Sequence, residues 1–189
     1  MRSTSCVRAY SASKKLAFTA LFAALCCVAT VMIVIPLPNG FFNVGDVFVL
    51  LAGWFLGPLY GGVAAAVGSA LADIVSGYAI YAPATAIIKG LCAVIAFALY
   101  KLYKLLVKKA SLDFLPRVLS ALVAEGVMVL GYFLFECALY GVAGAALAVY
   151  GNLLQGVCCL GIAVAIGSAL YASPATKKFL AGLQNPKNM

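Results

Sequence analysis

The chain has 189 residues, 66% of them hydrophobic and only 10% charged, which excludes an ordinary soluble domain and marks an integral membrane protein. Its 13 Lys and Arg outnumber 5 Asp and Glu for a net charge of +8. These bases sit at the ends of apolar runs, as the positive-inside rule requires, so the charge does not point to nucleic acid. The lack of His excludes Ser-His-Asp triads and zinc-protease motifs, and the seven Cys have no CxxC spacing, so they read as small packing residues.

In chain order, Arg2, Arg8, Lys14 and Lys15 precede a first apolar span at residues 16–35, with no convincing cleavage motif behind it. Residues 36–40, Pro-Leu-Pro-Asn-Gly, end that span in a turn. Residues 47–72 are apolar again but are interrupted by Leu56-Gly57-Pro58-Leu59-Tyr60-Gly61-Gly62. Further spans cover roughly 84–100, 118–140 and 146–171.

Charge decides how often the interrupted segment crosses. A single crossing would put Lys101, Lys104, Lys108, Lys109 and Arg117 on the face opposite the basic N-terminus, against the positive-inside rule. Two crossings, 46–57 and 59–76, put every loop Lys and Arg on one side. The first of these is about 17 Å long at 1.5 Å per residue, short for a bilayer. The expectation is an all-α integral membrane protein: one domain over 1–189 with six transmembrane helices and cytoplasmic N- and C-termini. The helices are placed at about 15–35, 46–57, 59–76, 84–107, 117–140 and 146–171.

The outer loops, 36–45, 77–83 and 141–145, then hold no Lys or Arg. Phe41, Phe42, Tyr78, Tyr81 and Tyr140 gather there, either as an interfacial aromatic belt or as walls of a site.

Charges inside a membrane are costly and point to function. On this topology Asn43 and Asp46 open the second span, Asp73 closes the third, and Lys89 lies a turn and a half into the fourth. Glu136 ends the fifth, and Asn152 and Gln155 begin the sixth, so these groups share the outer leaflet; Glu125 lies deeper and alone. Spacing places Thr85 with Lys89, and Ser69 with Asp73 and Ser76, on single helix faces. Glu125, Tyr132 and Glu136 form one stripe, and Asn152, Gln155 and Cys159 another. Polar stripes on four helices must face one another, lining a cavity open to the outside. The competing explanation is a set of ion pairs that tie helices together, such as Lys89 with Asp73 or Glu136. Asp46 also reads as an N-cap carboxylate. Small residues spaced by four mark packing faces: Ala20 and Ala24; Gly61, Ala65 and Ser69; Gly161, Ala165 and Ala169. For the last two sets the expected role is packing within the chain.

The run Leu16-Ala17-Phe18-Thr19-Ala20-Leu21-Phe22-Ala23-Ala24-Leu25 and the loop Gly40-Phe41-Phe42-Asn43-Val44-Gly45-Asp46-Val47 carry a resemblance. Leu56-Gly57-Pro58-Leu59-Tyr60-Gly61, Gly68-Ser69-Ala70-Leu71-Ala72-Asp73, Tyr78-Ala79-Ile80-Tyr81-Ala82-Pro83-Ala84-Thr85 and Ile88-Lys89-Gly90 continue it. Over about 14–172 the chain resembles the substrate-binding S components of energy-coupling factor (ECF) vitamin transporters, nearest the riboflavin, hydroxymethylpyrimidine and pyridoxine branch. The resemblance implies six helices, an outward pocket closed by the first loop, and docking of Ala20 and Ala24 on a coupling transmembrane subunit that works with two ATPase subunits. It also implies a multi-pass protein of a prokaryotic cell membrane.

No Walker A motif exists, so the chain does not hydrolyse ATP itself, and no enzyme activity, cofactor or metal site is expected. The ligand expected is a water-soluble vitamin or precursor, hydroxymethylpyrimidine or pyridoxine ahead of riboflavin. Asn43, Asn152 and Gln155 would pair its polar edge, and Tyr78, Tyr81 or Tyr132 would stack on its faces. Asp73, Lys89 and Glu136 would orient it, beside Asp46. The alternatives are a stand-alone proton- or ion-coupled carrier using Glu125 and Glu136, an intramembrane enzyme, against which the lack of His and of a DDxxD-type carboxylate pair argues, and a structural membrane subunit with no pocket.

Overall fold

The computed structural model describes residues 3–37, 40–107 and 114–184. The elements are α1 (Ser3–Met32), β1 (Val34–Leu37), β2 (Gly40–Asn43), α2 (Gly45–Val75), α3 (Ala82–Leu106), α4 (Leu115–Ala172) and α5 (Pro174–Gln184). Four of these, α1 to α4, are long and apolar enough to cross a membrane.

Two of the four are broken. In α2 the helix stops at Gly57, whose φ of 84° suits only a residue without Cβ. Pro58 then starts a second arm, where its fixed φ and missing N–H carry no penalty. A Cβ built on Gly61 would lie 2.4 Å from the Ala52 carbonyl oxygen. In a straight helix those residues would stand about 13 Å apart along the axis. The arms 45–56 and 58–75 therefore fold back on each other.

The 58-residue α4 behaves the same way at Gly141, where φ is 75°. Glu125 of its first arm packs on Gly156 of its second, and the Arg117 guanidinium donates to the Ser168 hydroxyl at 3.3 Å. Arms 115–140 and 142–172 thus form a long hairpin. The expected loop at 141–145 is not a loop: a single glycine makes the reversal.

The first outer loop also departs from expectation. Helix α1 ends at Met32, short of residue 35, and the chain enters an antiparallel ribbon with Val34 opposite Asn43 and Leu37 opposite Gly40. This hairpin is the only strand structure among the described residues. The turn residues 38 and 39 lie outside the described ones, as does the structure of Lys108 and Lys109.

Packing follows membrane rules. Interior positions are small, among them Ala52, Ala64, Ala65, Ala93, Ala96, Ala121 and Ala163. Leu71, Ile87, Leu91, Leu122, Leu130 and Leu134 point outward. Without a hydrophobic drive between helices in lipid, close approach of small residues supplies the attraction. At Gly68 a Cβ would lie 2.3 Å from the Ala23 carbonyl oxygen of α1, and at Gly45 2.0 Å from the Thr30 hydroxyl of the same helix. The third small-residue set does not do this work. Gly161, Ala165 and Ala169 are exposed, and a Cβ at Gly161 would meet nothing within 4 Å. The inward face of that arm is instead carried by Cys159, Ala163 and Gly167.

Candidate functional site

Helix α2 ends in a Schellman motif that builds one wall. Gly77, at φ 84°, donates its N–H to the Ile74 carbonyl, and the Tyr78 N–H reaches back to the Asp73 carbonyl at 2.8 Å. The cap turns Tyr78 over the helix end that carries Asp73. The chain then winds directly into α3, where the Thr85 N–H donates to the Tyr81 carbonyl at 2.9 Å. Tyr78 and Tyr81 meet edge to face at 6.4 Å, and Tyr81 packs likewise on Phe135 at 5.3 Å.

These elements and α4 enclose a cavity of about 530 Å³. Its wall includes Asn43, Asp73, Tyr78, Tyr81, Lys89, Tyr132, Glu136, Asn152 and Gln155. Asp46 is absent from that wall. It lies beneath it, 2% exposed, with one carboxylate oxygen 2.5 Å from Lys89 Nζ and the other accepting from Gln155 Nε2 at 2.6 Å. The expected capping role for Asp46 is also replaced. The Gly45 N–H at the start of α2 is taken by Asn43 Oδ1 at 2.9 Å, and the Asp46 side chain makes no cap bond. Lys89 is ion-paired, as one explanation required, but to Asp46 and not to Asp73 or Glu136. A buried ammonium needs such a counter-charge, since either charge alone would be costly at this depth.

The pair is tied to the hairpin. Gln155 Oε1 accepts from both the backbone N–H and the side-chain amide of Asn43, each at 3.0 Å, while its amide holds Asp46. Cys159 adds a weak thiol bond to the Asn43 carbonyl at 3.4 Å. One chain of hydrogen bonds thus runs from the last residue of β2 through α4 and α2 to Lys89 on α3.

Above the pair, Lys89 Nζ sits 5.2 Å from the Tyr132 ring centroid, and the Tyr132 hydroxyl shares a 3.0 Å hydrogen bond with Thr85. At the rim the Tyr81 hydroxyl donates to Tyr140 at 3.3 Å. Burial, that hydrogen bond and the nearby Glu136 charge hold the Tyr81 phenol above its ordinary pKa, so it remains a neutral donor. Asp73 and Glu136 are buried beside the cavity, and each has an oxygen with no hydrogen bond among the described residues.

Glu125 does not join the wall. It is buried against Gly156 within electrostatic range of Asp46 and Lys89. Ser76 is the cap residue of α2 and is likewise outside the wall, although its stripe partners Ser69 and Asp73 line it. Ala20 and Ala24 are exposed on α1, and Ala23 faces inward instead.

Sequence reasoning passed over Thr30, Gly144, Ala148 and Gly151, all in the wall. With Asn152 and Gln155 the last three form one helical face, spaced 4, 3, 1 and 3. The signal was there, but it is a run of small residues whose contribution is space. It also required an arm beginning at 142 and not at 146.

A helical membrane protein with one polar, tyrosine-walled cavity among its described residues is thereby defined. The model of the ECF-type riboflavin transporter S component family matches residues 11–172, so the chain belongs to that family. It is a substrate-binding component of a vitamin-uptake transporter, not an enzyme, and works with an ECF transmembrane subunit and ATPase subunits. A protein of Pyrococcus woesei, described as an uncharacterized protein in a gap 3′ region, is 36% identical over 132 residues. The match covers 69% of this chain and 83% of that protein.

Proposed function

We propose that this protein captures a donor-bearing heteroaromatic vitamin or precursor, hydroxymethylpyrimidine or pyridoxine, and delivers it as the S component of an ECF transporter. The observation that carries this reading is the pair of buried carboxylates, Asp73 and Glu136, each with an oxygen that has no hydrogen bond among the described residues, in a cavity walled by tyrosines. An amino or hydroxymethyl substituent supplies the donors those oxygens lack. Tyr78, Tyr81 and Tyr132 offer faces for the ring, Asn152 offers an amide, and Asn43, Gln155 and the Asp46–Lys89 pair form the floor.

The doubled-back arms of α2 and α4 support six crossings of a prokaryotic cell membrane. With the basic loops on one face, both termini are cytoplasmic and the cavity opens outward. The loaded protein docks through Ala20 and Ala24 on the coupling subunit, which two ATPase subunits drive.

Riboflavin is the second reading. It is favoured by the name of the matching family and by a cavity larger than a single six-membered ring requires.

Binding titrations of the purified protein with all three vitamins separate these readings. Asp73→Ala and Lys89→Ala should each abolish binding; unchanged affinity in both variants would overturn the site. Uptake by cells lacking the ATPase partners would instead favour the stand-alone carrier.

A further inference from the structure

Resting on that reading of the cavity as a vitamin site, we propose that it accepts an uncharged or cationic heterocycle and rejects the phosphate monoester of the same ring. Asp73 and Glu136 set this selectivity. Among the described residues, three charged side chains line the cavity: Asp73, Glu136 and Lys89. The Lys89 charge is balanced by Asp46 at 2.5 Å and covered by the Tyr132 ring. What the cavity presents to a ligand is therefore two carboxylates, 7% and 8% exposed, each with a hydrogen-bond vacancy among the described residues.

The usual means of holding a phosphate are missing from this wall. Phosphate recognition relies on guanidinium forks, ammonium groups with charge to spare, or clustered backbone N–H donors. Among the described residues, no Arg lines the cavity. In the loop between α2 and α3, the backbone N–H groups of Gly77, Tyr78 and Tyr81 turn back to the carbonyls of Ile74, Asp73 and Tyr78. A phosphate carrying up to two negative charges would lie beside two carboxylates in surroundings where water screens them weakly. Where only the ester is available, hydrolysis of the phosphomonoester must precede capture.

The test is equilibrium binding to the full-length protein in nanodiscs, with each parent set against its ester. The probes are pyridoxine and its 5′-phosphate, hydroxymethylpyrimidine and its monophosphate, and riboflavin and its 5′-phosphate. The parent that binds should do so about 100-fold more tightly than its ester, the scale of like-charge exclusion at a partly buried site. In the Asp73→Asn, Glu136→Gln double variant this ratio should fall by about tenfold or more. An ester within threefold of its parent in the wild type overturns the proposal without reference to any variant. So does a double variant that binds the parent and keeps the full ratio. Binding of no parent would overturn the vitamin reading itself, whereas equal binding of parent and ester would leave that reading standing and remove only the selectivity.

Discussion

Toward the Gly57 bend, Trp54, Leu50, Val49 and Met128 are fully buried, and the Trp54 indole donates to Ser120 at 3.2 Å. There the Arg117 guanidinium stacks on Tyr171 at 4.5 Å and on Tyr100 at 5.5 Å, joining the ends of three helical arms. Toward the Gly77 and Gly141 bends, Gly144, Ala148 and Gly151 face the polar groups of α2 and α3 across open space. The same bundle is thus filled with bulky rings at one end and kept open by small residues at the other. The Asp46–Lys89 pair stands at the base of the cavity, Lys89 in its wall and Asp46 beneath, and belongs to both regions: it supports the floor and holds the hairpin through Gln155.

This division predicts which substitutions should separate stability from binding. The largest effect is expected at the shared element. Lys89→Ala strands Asp46 and should cost about 3–5 kcal/mol along with all ligand binding, measured by thermal unfolding in detergent and by titration. Pairing Lys89→Met with Asp46→Asn should recover most of the stability and none of the binding. Recovery of both would reduce the pair to a structural tie.

Trp54→Ala comes next, with a loss of about 3–5 kcal/mol in the filled end. Ligand affinity should change less than about twofold at a temperature where the variant is folded, if the two ends are separate. Gln155→Ala breaks the link between hairpin and floor and should cost about 1–3 kcal/mol. Affinity should fall tenfold or more, with faster release. An unchanged release rate would mean that the hairpin does not depend on this link. The smallest effect on the isolated protein is expected for Ala24→Trp. Melting and vitamin affinity should stay within error, while co-purification with the coupling subunit and cellular uptake are lost. Retained uptake would move the docking surface elsewhere.

Much of this plan was legible in the sequence because the membrane makes burial of charge so costly. Lys89, Asp73 and Glu136 in apolar runs located the cavity, and Gly57-Pro58 located the break in α2. Proline carries a readable signature there, whereas Gly141 has none in a stretch of Gly and Ala, so the sequence reads as a loop where the second bend lies. The ribbon at 34–43 was missed even though Pro-Asn-Gly sits between two β-prone runs, which is a hairpin signal. Partner choice was the least legible. One cation and several acids leave several pairings open; only the packing of α2 on α3 brings Asp46 to Lys89, and that of α4 on α2 and β2 brings Gln155 to Asp46 and Asn43. The exposed face of Gly161, Ala165 and Ala169 teaches a similar lesson, since spacing by four marks a face but not what covers it.

The central claim is that the open end holds a vitamin. Its most direct test is mass spectrometry of small molecules released on denaturing the full-length protein, purified from cells supplied with vitamins. The expected species is a pyrimidine or pyridine bearing a hydroxymethyl group, near one per protein in the wild type and absent from Lys89→Ala. Equal amounts from both proteins, or no bound vitamin in the wild type, would contradict it.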